Sequence, residues 1–237
     1  MEVIAPNTVD FWDARYEEET YAYGTEPNVY FRQRLDVLPP GRLLLLAEGE
    51  GRNAVYAAQR GWQVTAVDFS DEGRAKALRL AVAQGVRLDY QVADLTALGW
   101  LRPDYYDAVG LIYAHLAPAD RRAVHIAAAT SLAPGGHLML EAFSPRQLGM
   151  PSGGPRTVEM LYEPATLAED FAGLSILENH TLGVVLHEGS FHVGPANVVR
   201  LLAVRIEGGI IGVPALPHET DCLRCTQLLI TCLEVRP

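Results

Sequence analysis

The chain has 237 residues, of which 49% are hydrophobic, and a formal net charge of −10 at pH 7. This length fits one sizeable α/β domain with appendages better than two full domains. The negative charge argues against nonspecific binding to nucleic acids or anionic membranes. No stretch approaches the roughly 20 consecutive apolar residues of a membrane span, and residues 1–13 contain no secretory core. We therefore expect a cytoplasmic protein, monomeric or homodimeric, without nucleic-acid or membrane partners.

Two residue types are unevenly used. Lys76 is the only lysine, which excludes a Walker-type phosphate loop and a Tyr-x-x-x-Lys dyad and leaves little room for Schiff-base catalysis. The three cysteines, Cys222, Cys225 and Cys232, all lie in the last stretch of the chain. Any catalytic thiol would have to come from that stretch.

The N-terminal part of the chain is rich in aromatic residues. Thr8–Tyr16 predicts a short helix, and a second helix is expected from Pro27 to about Val37. Between them lies the loop Tyr21–Asn28, which is too polar and too rich in turn residues to be filler. Because such loops often carry function, we expect it to contribute to a site. Residues 1–40 then either cover a binding pocket or simply pack against the domain.

The first buried strand leads into a glycine loop. Leu43–Leu46 is an unbroken apolar run, followed by Glu48-Gly49-Glu50-Gly51 and a predicted helix over Asn53–Arg60. A second strand, Gln63–Val67, ends on Asp68. Glycines here let the backbone approach a ligand, and an acid some twenty positions on is placed to bind ribose hydroxyls. The segment is typical of a nucleoside-binding strand–loop–helix–strand.

The alternation of strands and helices continues to about residue 171. Ser70 is expected to cap a helix that ends near Gln84-Gly85 and buries Ala75, Leu78 and Val82. Further elements follow in order: strands Arg87–Val92 and Tyr106–Ile112, a helix from Pro118, strand His137–Phe143 and a helix Pro164–Phe171. This order predicts a Rossmann-like, mostly parallel sheet with helices on both faces. Two last strands, Leu174–Thr181 and Ala196–Arg205, form an antiparallel edge pair connected by Leu182–Pro195.

The glycine loop alone is compatible with two cofactors. Gly49-x-Gly51-x-x-Ala54 also satisfies the dinucleotide fingerprint, so an NAD-dependent oxidoreductase is one alternative. Acids at positions 48 and 50 would oppose a pyrophosphate at the helix N-terminus and favour a cationic ligand. Asp94, at the end of the third strand, has no basic neighbour in sequence and can accept from an exocyclic amine.

Several short motifs resemble the class I S-adenosylmethionine-dependent methyltransferases, and within them a bacterial subgroup related to tellurite-resistance-type methyltransferases. They span about Phe11 to Arg205 and comprise Trp12-Asp13-x-Arg15-Tyr16, Tyr23–Asn28, Ala47–Asn53, Ala114-His115-Leu116, Glu141-Ala142-Phe143, Ser152–Pro155 and Glu188-Gly189-x-x-His192-x-Gly194. The resemblance implies the class I methyltransferase fold and S-adenosylmethionine as cofactor. Arg52-Asn53 departs from it, because many members continue with a third glycine.

The resemblance also implies which residues contact the cofactor. Glu48, Gly49 and Gly51 would hold its methionyl part, Asp68 the ribose, Asp94 the adenine amine, and Phe69 would lie against the adenine. The other cofactor contacts predicted are Glu50, Asn53, Ser70, Leu95 and Tyr113. Residues predicted to contact the acceptor or form a lid are Trp12, Tyr16, Tyr21, Tyr23 and Arg121, although a solvated helix arginine is the simpler interpretation of the last.

The acceptor is expected to be a small molecule, and the analogy favours a thiol or chalcogen oxyanion. A general base is needed only when the acceptor arrives protonated. His115 and His192 are the candidates. The alternative role for His115 is a hydrogen bond to a backbone group, and the alternative for His192 is a structural hydrogen bond with Glu188.

The C-terminal end loses the strand–helix organisation. We expect residues 1–205 to form the methyltransferase domain and residues 206–237 an extension. His218 and the three cysteines have roughly the ligand count of a zinc site, but the spacing lacks a second ligand pair, so an unstructured or oligomer-binding appendage is favoured and no metal is assigned. A non-catalytic cofactor-binding or metal-sensing protein is the remaining alternative.

Overall fold

The computed structural model describes residues 8–206, so the predicted extension, with Cys222, Cys225 and Cys232, lies outside the described residues. This part of the chain contains six α-helices and seven strands. The helices are α1 (Val9–Tyr16), α2 (Val29–Leu35), α3 (Arg52–Gln59), α4 (Asp71–Ala83), α5 (Pro118–Ser131) and α6 (Pro164–Asp170). The strands are β1 (Arg42–Leu46), β2 (Gln63–Asp68), β3 (Asp89–Val92), β4 (Tyr106–Ile112), β5 (Leu132–Phe143), β6 (Ser175–Glu188) and β7 (His192–Val204).

All seven strands belong to one sheet, in the order β3-β2-β1-β4-β5-β7-β6. The first five strands pair in parallel, whereas β7 is antiparallel to both β5 and β6. The carboxyl ends of β1, β2, β3 and β4 therefore meet at one edge, which is where open α/β sheets bind ligands. The predicted Rossmann-like sheet with an antiparallel edge pair is confirmed.

The central strand β1 is buried on both faces. Its leucines Leu43–Leu46 are each at most 1% exposed. Leu44 and Leu46 belong to the core under α5, while Leu43 and Leu45 belong to the core with α2 and α3. Burying one such side chain contributes roughly 1.5–3 kcal/mol to folding, so β1 stabilises the packing of helices on both faces of the sheet.

The two N-terminal helices start at side-chain caps. Thr8 accepts a hydrogen bond from the Phe11 N–H at 3.3 Å, and Asn28 accepts one from the Phe31 N–H at 2.9 Å. Each cap satisfies a backbone donor that has no partner within its helix. Asn28, rather than Pro27, therefore defines the start of α2.

The predicted buried face of α4 was wrong. Its buried residues are Gly73, Lys76, Ala77, Leu80 and Ala81, whereas Val82 is 80% exposed. The buried face of α4 includes Lys76, which a pattern of apolar residues cannot predict. The Lys76 side chain can be buried because its ammonium group has polar partners.

The predicted connection Leu182–Pro195 was also wrong, because most of it is strand. β6 and β7 pair along their whole length, and only Gly189–Phe191 forms the turn. The glycines and the proline in this segment interrupt the alternating pattern without breaking the ladder. The long hairpin carries Glu188 and His192 as opposite partners to the ligand-binding edge of the sheet.

Candidate active site

The loop after β1 has the backbone conformation that its glycines allow. Gly49 and Gly51 have φ values of 58° and 83°, in the left-handed region. A Cβ at Gly51 would lie 2.5 Å from the Ala77 Cβ, so α4 packs directly against this turn. Gly51 is the N-cap of α3 and supplies no capping side chain. Backbone N–H groups at this end of α3 are thus directed at the edge of the sheet.

Glu48 lies at the centre of the loop. It is 8% exposed, and its Oε1 accepts the Ala54 N–H at 2.7 Å. Burial raises the pKa of its carboxyl group to about 7, against the opposing effect of its hydrogen bonds to Ala54 and Asn53. No arginine, lysine or histidine of residues 8–206 forms an ion pair with it.

Asp68 connects this loop to the end of β2. Its two oxygens accept the N–H groups of Gly49 and Ser70, both at 2.9 Å. Burial raises its pKa to about 6. A carboxylate oxygen has two lone pairs, so both oxygens retain acceptor capacity for hydroxyl groups. Phe69 beside it is half-buried, and Ser70 caps α4 by accepting the Gly73 N–H.

Asp94 follows the end of β3 by two residues, on the same edge of the sheet. The residue is exposed, and its Oδ1 accepts hydrogen bonds from both the N–H and the hydroxyl of Thr96 at 2.8 Å. It caps the single 3₁₀ turn that begins at the buried Leu95. Within the described part of the chain no cation pairs with Asp94, so it remains open to a donor from outside.

The helix α1 lies over the glycine loop. Trp12 stacks on Tyr16 with a ring-centroid distance of 5.6 Å, and Tyr16 is 5% exposed. The Tyr16 hydroxyl is 2.6 Å from where a Cβ on Gly49 would stand, so it lies against the loop. The Ser70 hydroxyl donates to Asp13, which fastens α1 to the start of α4. Two of the predicted lid residues are thus brought to the loop.

The two candidate bases have different surroundings. The Nδ1 of His115 is 2.7 Å from the Met160 carbonyl oxygen, and its Nε2 accepts the Phe143 N–H at 3.1 Å. Burial lowers its pKa to about 4, which keeps the ring neutral. Both ring nitrogens have backbone partners, so the backbone role left open by the sequence is the one observed. We therefore do not retain His115 as a candidate base.

His192 lies in an aromatic enclosure. Its ring centroid is 4.5 Å from those of Tyr23 and Tyr113, and its Nδ1 is 3.2 Å from the Glu188 Oε2. Burial lowers the pKa of His192, so the neutral ring donates from Nδ1 to Glu188 and leaves the Nε2 lone pair unprotonated. Burial alone would raise the pKa of Glu188, but His192 and Arg52 outweigh it and hold this pKa at about 2.

A buried polar network beneath this enclosure could not be predicted from the sequence. The Asn28 side-chain amide donates to Glu141 at 2.7 Å and to Glu188 at 3.0 Å, and the Arg200 Nε donates to Glu141 at 2.6 Å. The Tyr113 hydroxyl also donates to Glu141, at 3.1 Å. The network joins the N-terminal loop, β5 and the hairpin β6–β7 behind the candidate site. The asparagine that caps α2 was the only local signal for it.

Comparisons with known proteins agree with this geometry. Residues 43–136 match a family model described as "Methyltransferase domain". This part of the chain is a methyltransferase domain. The resemblance to S-adenosylmethionine-dependent methyltransferases, the enzyme class and the cofactor are thereby confirmed. No curated protein matches the sequence.

Solved structures share the methyltransferase fold at low sequence identity. One, described as "Conversion of a Disulfide Bond into a Thioacetal Group during Echinomycin Biosynthesis", is 17% identical, with a TM-score of 0.66 over 95% of this chain and 98% of that one. TehB from Haemophilus influenzae is 16% identical, with a TM-score of 0.63 over 83% and 66% of the two chains. A DhpI complex with S-adenosylhomocysteine is 20% identical, with a TM-score of 0.55 over 84% and 95%.

Two predicted site residues of the methyltransferase have protein partners instead. The Arg121 Nε is 2.7 Å from Asp170, which also bonds His125 at 2.8 Å. Burial acts to raise the pKa of Asp170, but these two partners outweigh it and lower this pKa. Glu50 pairs with Lys76 at 2.6 Å and accepts the N–H groups of Ala22 and Tyr23. Both side chains are therefore engaged by other residues of the protein.

Two further searches concern residues 8–206 of the methyltransferase only. None of the helices there is long and apolar enough to cross a bilayer. No group of three or more histidine, cysteine, aspartate or glutamate side chains is arranged to hold a metal ion. The possible ligands His218, Cys222, Cys225 and Cys232 lie outside this range.

Proposed function

We propose that this methyltransferase transfers a methyl group from S-adenosylmethionine to a small-molecule acceptor, with a thiol or reduced chalcogen oxyanion as the preferred class. The binding of this cofactor is supported above all by two buried carboxylates, Glu48 on the glycine loop and Asp68 at the end of β2. Neither forms an ion pair within the described residues. Two buried acids would repel a pyrophosphate but suit an ammonium group and a ribose diol.

The chemistry of these residues fits S-adenosylmethionine. Glu48 and the backbone of Gly49 would hold the methionyl ammonium and its neighbouring atoms, Asp68 the ribose hydroxyls, and Asp94 the adenine amine. When bound, the cofactor supplies an electrophilic methyl on a sulfonium, which leaves as a neutral thioether. The protein then needs chiefly to align the acceptor and exclude water, and we assign this role to the predicted lid residues.

A cavity beside the lid is of the right size for a small acceptor. It has a volume of about 270 Å³ and lies between α1 and the β6–β7 turn. Its lining residues are Phe11, Ala14, Arg15, Glu18, Thr20, Ala22, Ser190 and Phe191. An apolar cavity of about 150 Å³ holds a benzene ring, so this one accommodates a molecule of one or two rings. We propose that the acceptor approaches through it.

Arg15 gives this cavity its polarity. Its guanidinium lies 3.9 Å from the Phe191 ring centroid and donates to the Tyr23 hydroxyl at 3.0 Å. No carboxylate of residues 8–206 forms an ion pair with it. A guanidinium with unused donors beside apolar walls suits an acceptor that combines an anionic group with an apolar body.

The preference for a soft acceptor rests on the surroundings of the histidines. A thiolate needs no general base, and only His192, not His115, has a ring nitrogen that could accept a proton. The structural neighbour described by a disulfide-to-thioacetal conversion acts on sulfur, which supports a sulfur acceptor by analogy.

We also propose that residues 1–205 constitute the domain, and that the enzyme acts in the cytoplasm.

The test is turnover of S-adenosylmethionine against a panel of aryl and alkyl thiols, tellurite, selenite, phenols and amines, with S-adenosylhomocysteine as the measured product. We expect thiols or chalcogen oxyanions to give the highest kcat/KM. Turnover confined to phenols or amines would contradict the soft-acceptor proposal. Bound cofactor without turnover of any acceptor would favour a non-catalytic binding protein.

A further inference from the structure

The single lysine of the chain lies beneath the lid. Lys76 is 1% exposed, and its Nζ is 2.6 Å from the Glu50 Oε1, 2.7 Å from the Glu18 carbonyl oxygen and 2.6 Å from the Thr20 carbonyl oxygen. An ammonium group has three donors, so these three acceptors satisfy it completely. Two of them belong to the backbone of the segment that leads from α1 into the N-terminal loop.

Glu50 holds the next part of the same segment. Its two oxygens accept the N–H groups of Ala22 at 3.1 Å and Tyr23 at 3.3 Å. The Tyr21 hydroxyl donates to the Lys76 carbonyl oxygen at 3.1 Å. The Lys76–Glu50 pair and its helix therefore bind the backbone or side chains of residues 18–23, which we call the strap.

The strap connects the two halves of the proposed site. Glu50 lies between Gly49 and Gly51, in the loop proposed to hold the cofactor. On its other side, the Ala22 carbonyl oxygen accepts the Ser190 N–H at 3.0 Å from the β6–β7 turn. Tyr23, the last residue of the strap, packs its ring 4.5 Å from that of His192. A displacement of the cofactor loop would thus move the strap and the aromatic enclosure together.

We propose that Lys76 and Glu50 are positioning residues that close the strap over the bound cofactor and set how long the cofactor stays bound. This inference rests on the proposed function, because it takes the cofactor to lie on the loop that contains Glu50. A buried ion pair is poor evidence for stability in itself, since desolvation offsets much of the attraction. The four contacts that Lys76 and Glu50 make with the strap are all to main-chain atoms, so the pair holds the strap in one conformation.

The experiment compares Lys76→Met, Glu50→Gln and the double variant with the wild-type chain. Lys76→Met alone leaves the Glu50 carboxylate buried without a counter-ion, which can prevent folding. The double variant removes both charges and keeps the result interpretable. Arg122→Met is the control, because Arg122 is exposed on α5 and forms no ion pair within residues 8–206. Circular dichroism and thermal unfolding verify that each variant is folded.

Two readouts do not depend on turnover. The first is the dissociation rate of S-adenosylhomocysteine, measured by stopped-flow displacement. The second is the rate of tryptic cleavage after Arg15, next to the strap, with and without S-adenosylhomocysteine. We expect dissociation to be about tenfold faster or more in the folded variants of the pair, because affinity changes within one site act mainly through the off-rate. We also expect faster cleavage that the ligand no longer suppresses, with Arg122→Met unchanged.

The pair should also behave as a unit, so the double variant should dissociate the ligand no faster than the more affected single variant. Dissociation rates within about twofold of wild type in folded variants would overturn the inference and leave the proposed function intact. Failure of the wild-type chain to bind S-adenosylhomocysteine would contradict the proposed function and the inference with it.

Discussion

The Phe143 N–H donates to the His115 Nε2 at 3.1 Å, and the two rings are nearly parallel, with an interplanar angle of 10°. This contact joins the loop after β4 to the end of β5. The opposite ring nitrogen bonds the Met160 carbonyl oxygen, so the imidazole bridges three segments of backbone. A histidine used in this way stabilises the edge of the sheet and has no free nitrogen for an acceptor proton.

We therefore predict that His115→Ala costs stability and little activity. Each backbone group left without a partner costs about 1–3 kcal/mol, so the melting temperature should fall clearly. Loss of a general base would instead lower kcat by about 10²–10⁴-fold. Thermal unfolding and steady-state kinetics on the same preparation distinguish the two roles. A drop in kcat of that size with unchanged stability would make His115 the base after all.

His192 should matter only when the acceptor arrives protonated. The neutral ring donates from Nδ1 to Glu188, so Nε2 can accept a proton. We predict that His192→Asn lowers kcat with a phenol or amine by about 100-fold, while a thiol acceptor loses only about threefold. His187→Asn is the control, since His187 is exposed on the same hairpin. Equal losses with both acceptor types would show that His192 acts by shaping the site.

Cofactor affinity should depend on pH through Glu48. Its pKa is raised to about 7 in the folded chain, so the unfolded state loses this proton at lower pH than the folded state. The stability contribution of the protonated carboxyl group is present below its unfolded pKa and is lost as the pH rises through about 7. The ionised form attracts the ligand ammonium, so binding should release a proton.

We accordingly predict opposite trends between pH 5.5 and 7.5. The melting temperature of the free enzyme falls, while ionisation of Glu48 alone raises the affinity for S-adenosylhomocysteine by at most about tenfold per pH unit. Asp68, with a pKa raised to about 6, adds to both trends. Glu48→Gln should flatten both profiles and weaken binding at pH 7.5. Calorimetry measures the affinity at each pH, and thermal unfolding measures the melting temperature. An affinity of the wild-type chain that does not change with pH would contradict a role for Glu48.

Arg15 should select anionic acceptors. Hydrogen bonds to charged groups contribute roughly 1.5–3 kcal/mol, so Arg15→Met should raise KM about tenfold or more for an aryl thiol that carries a carboxylate. The same thiol without the carboxylate should be unaffected. Arg122→Met, an exposed arginine on α5, serves as control. If Arg15→Met instead weakens S-adenosylhomocysteine binding and leaves both KM values unchanged, the guanidinium contacts the cofactor.

The local parts of the fold were predictable from the sequence. Buried apolar runs such as Leu43–Leu46, the glycine loop and the acid that ends β2 depend on neighbours a few positions away. Such patterns can be recognised in a single sequence, because they depend only on residues that are close together in the chain. They were enough for the mostly parallel sheet with its antiparallel edge pair and for the class of cofactor.

The polar interior was not predictable in the same way. Asn28 and Glu141 are 113 positions apart, and Lys76 finds its backbone acceptors in residues 18–20. A polar residue has no periodic signal when its burial depends on distant partners, so the predicted buried face of α4 did not include Lys76. His115 was ambiguous for the same reason, because its two partners lie 28 and 45 positions away.

The central claim is that the loop Glu48–Gly51 and Asp68 bind S-adenosylmethionine, and its most direct test is titration calorimetry with S-adenosylhomocysteine and with NAD. The comparison uses the wild-type chain, Asp68→Ala and, as control, Asp89→Ala, an exposed acid on the neighbouring strand. We predict that wild type and Asp89→Ala bind S-adenosylhomocysteine but not NAD, and that Asp68→Ala binds it at least about tenfold more weakly. NAD binding without S-adenosylhomocysteine binding, or wild-type affinity in Asp68→Ala, would contradict the account.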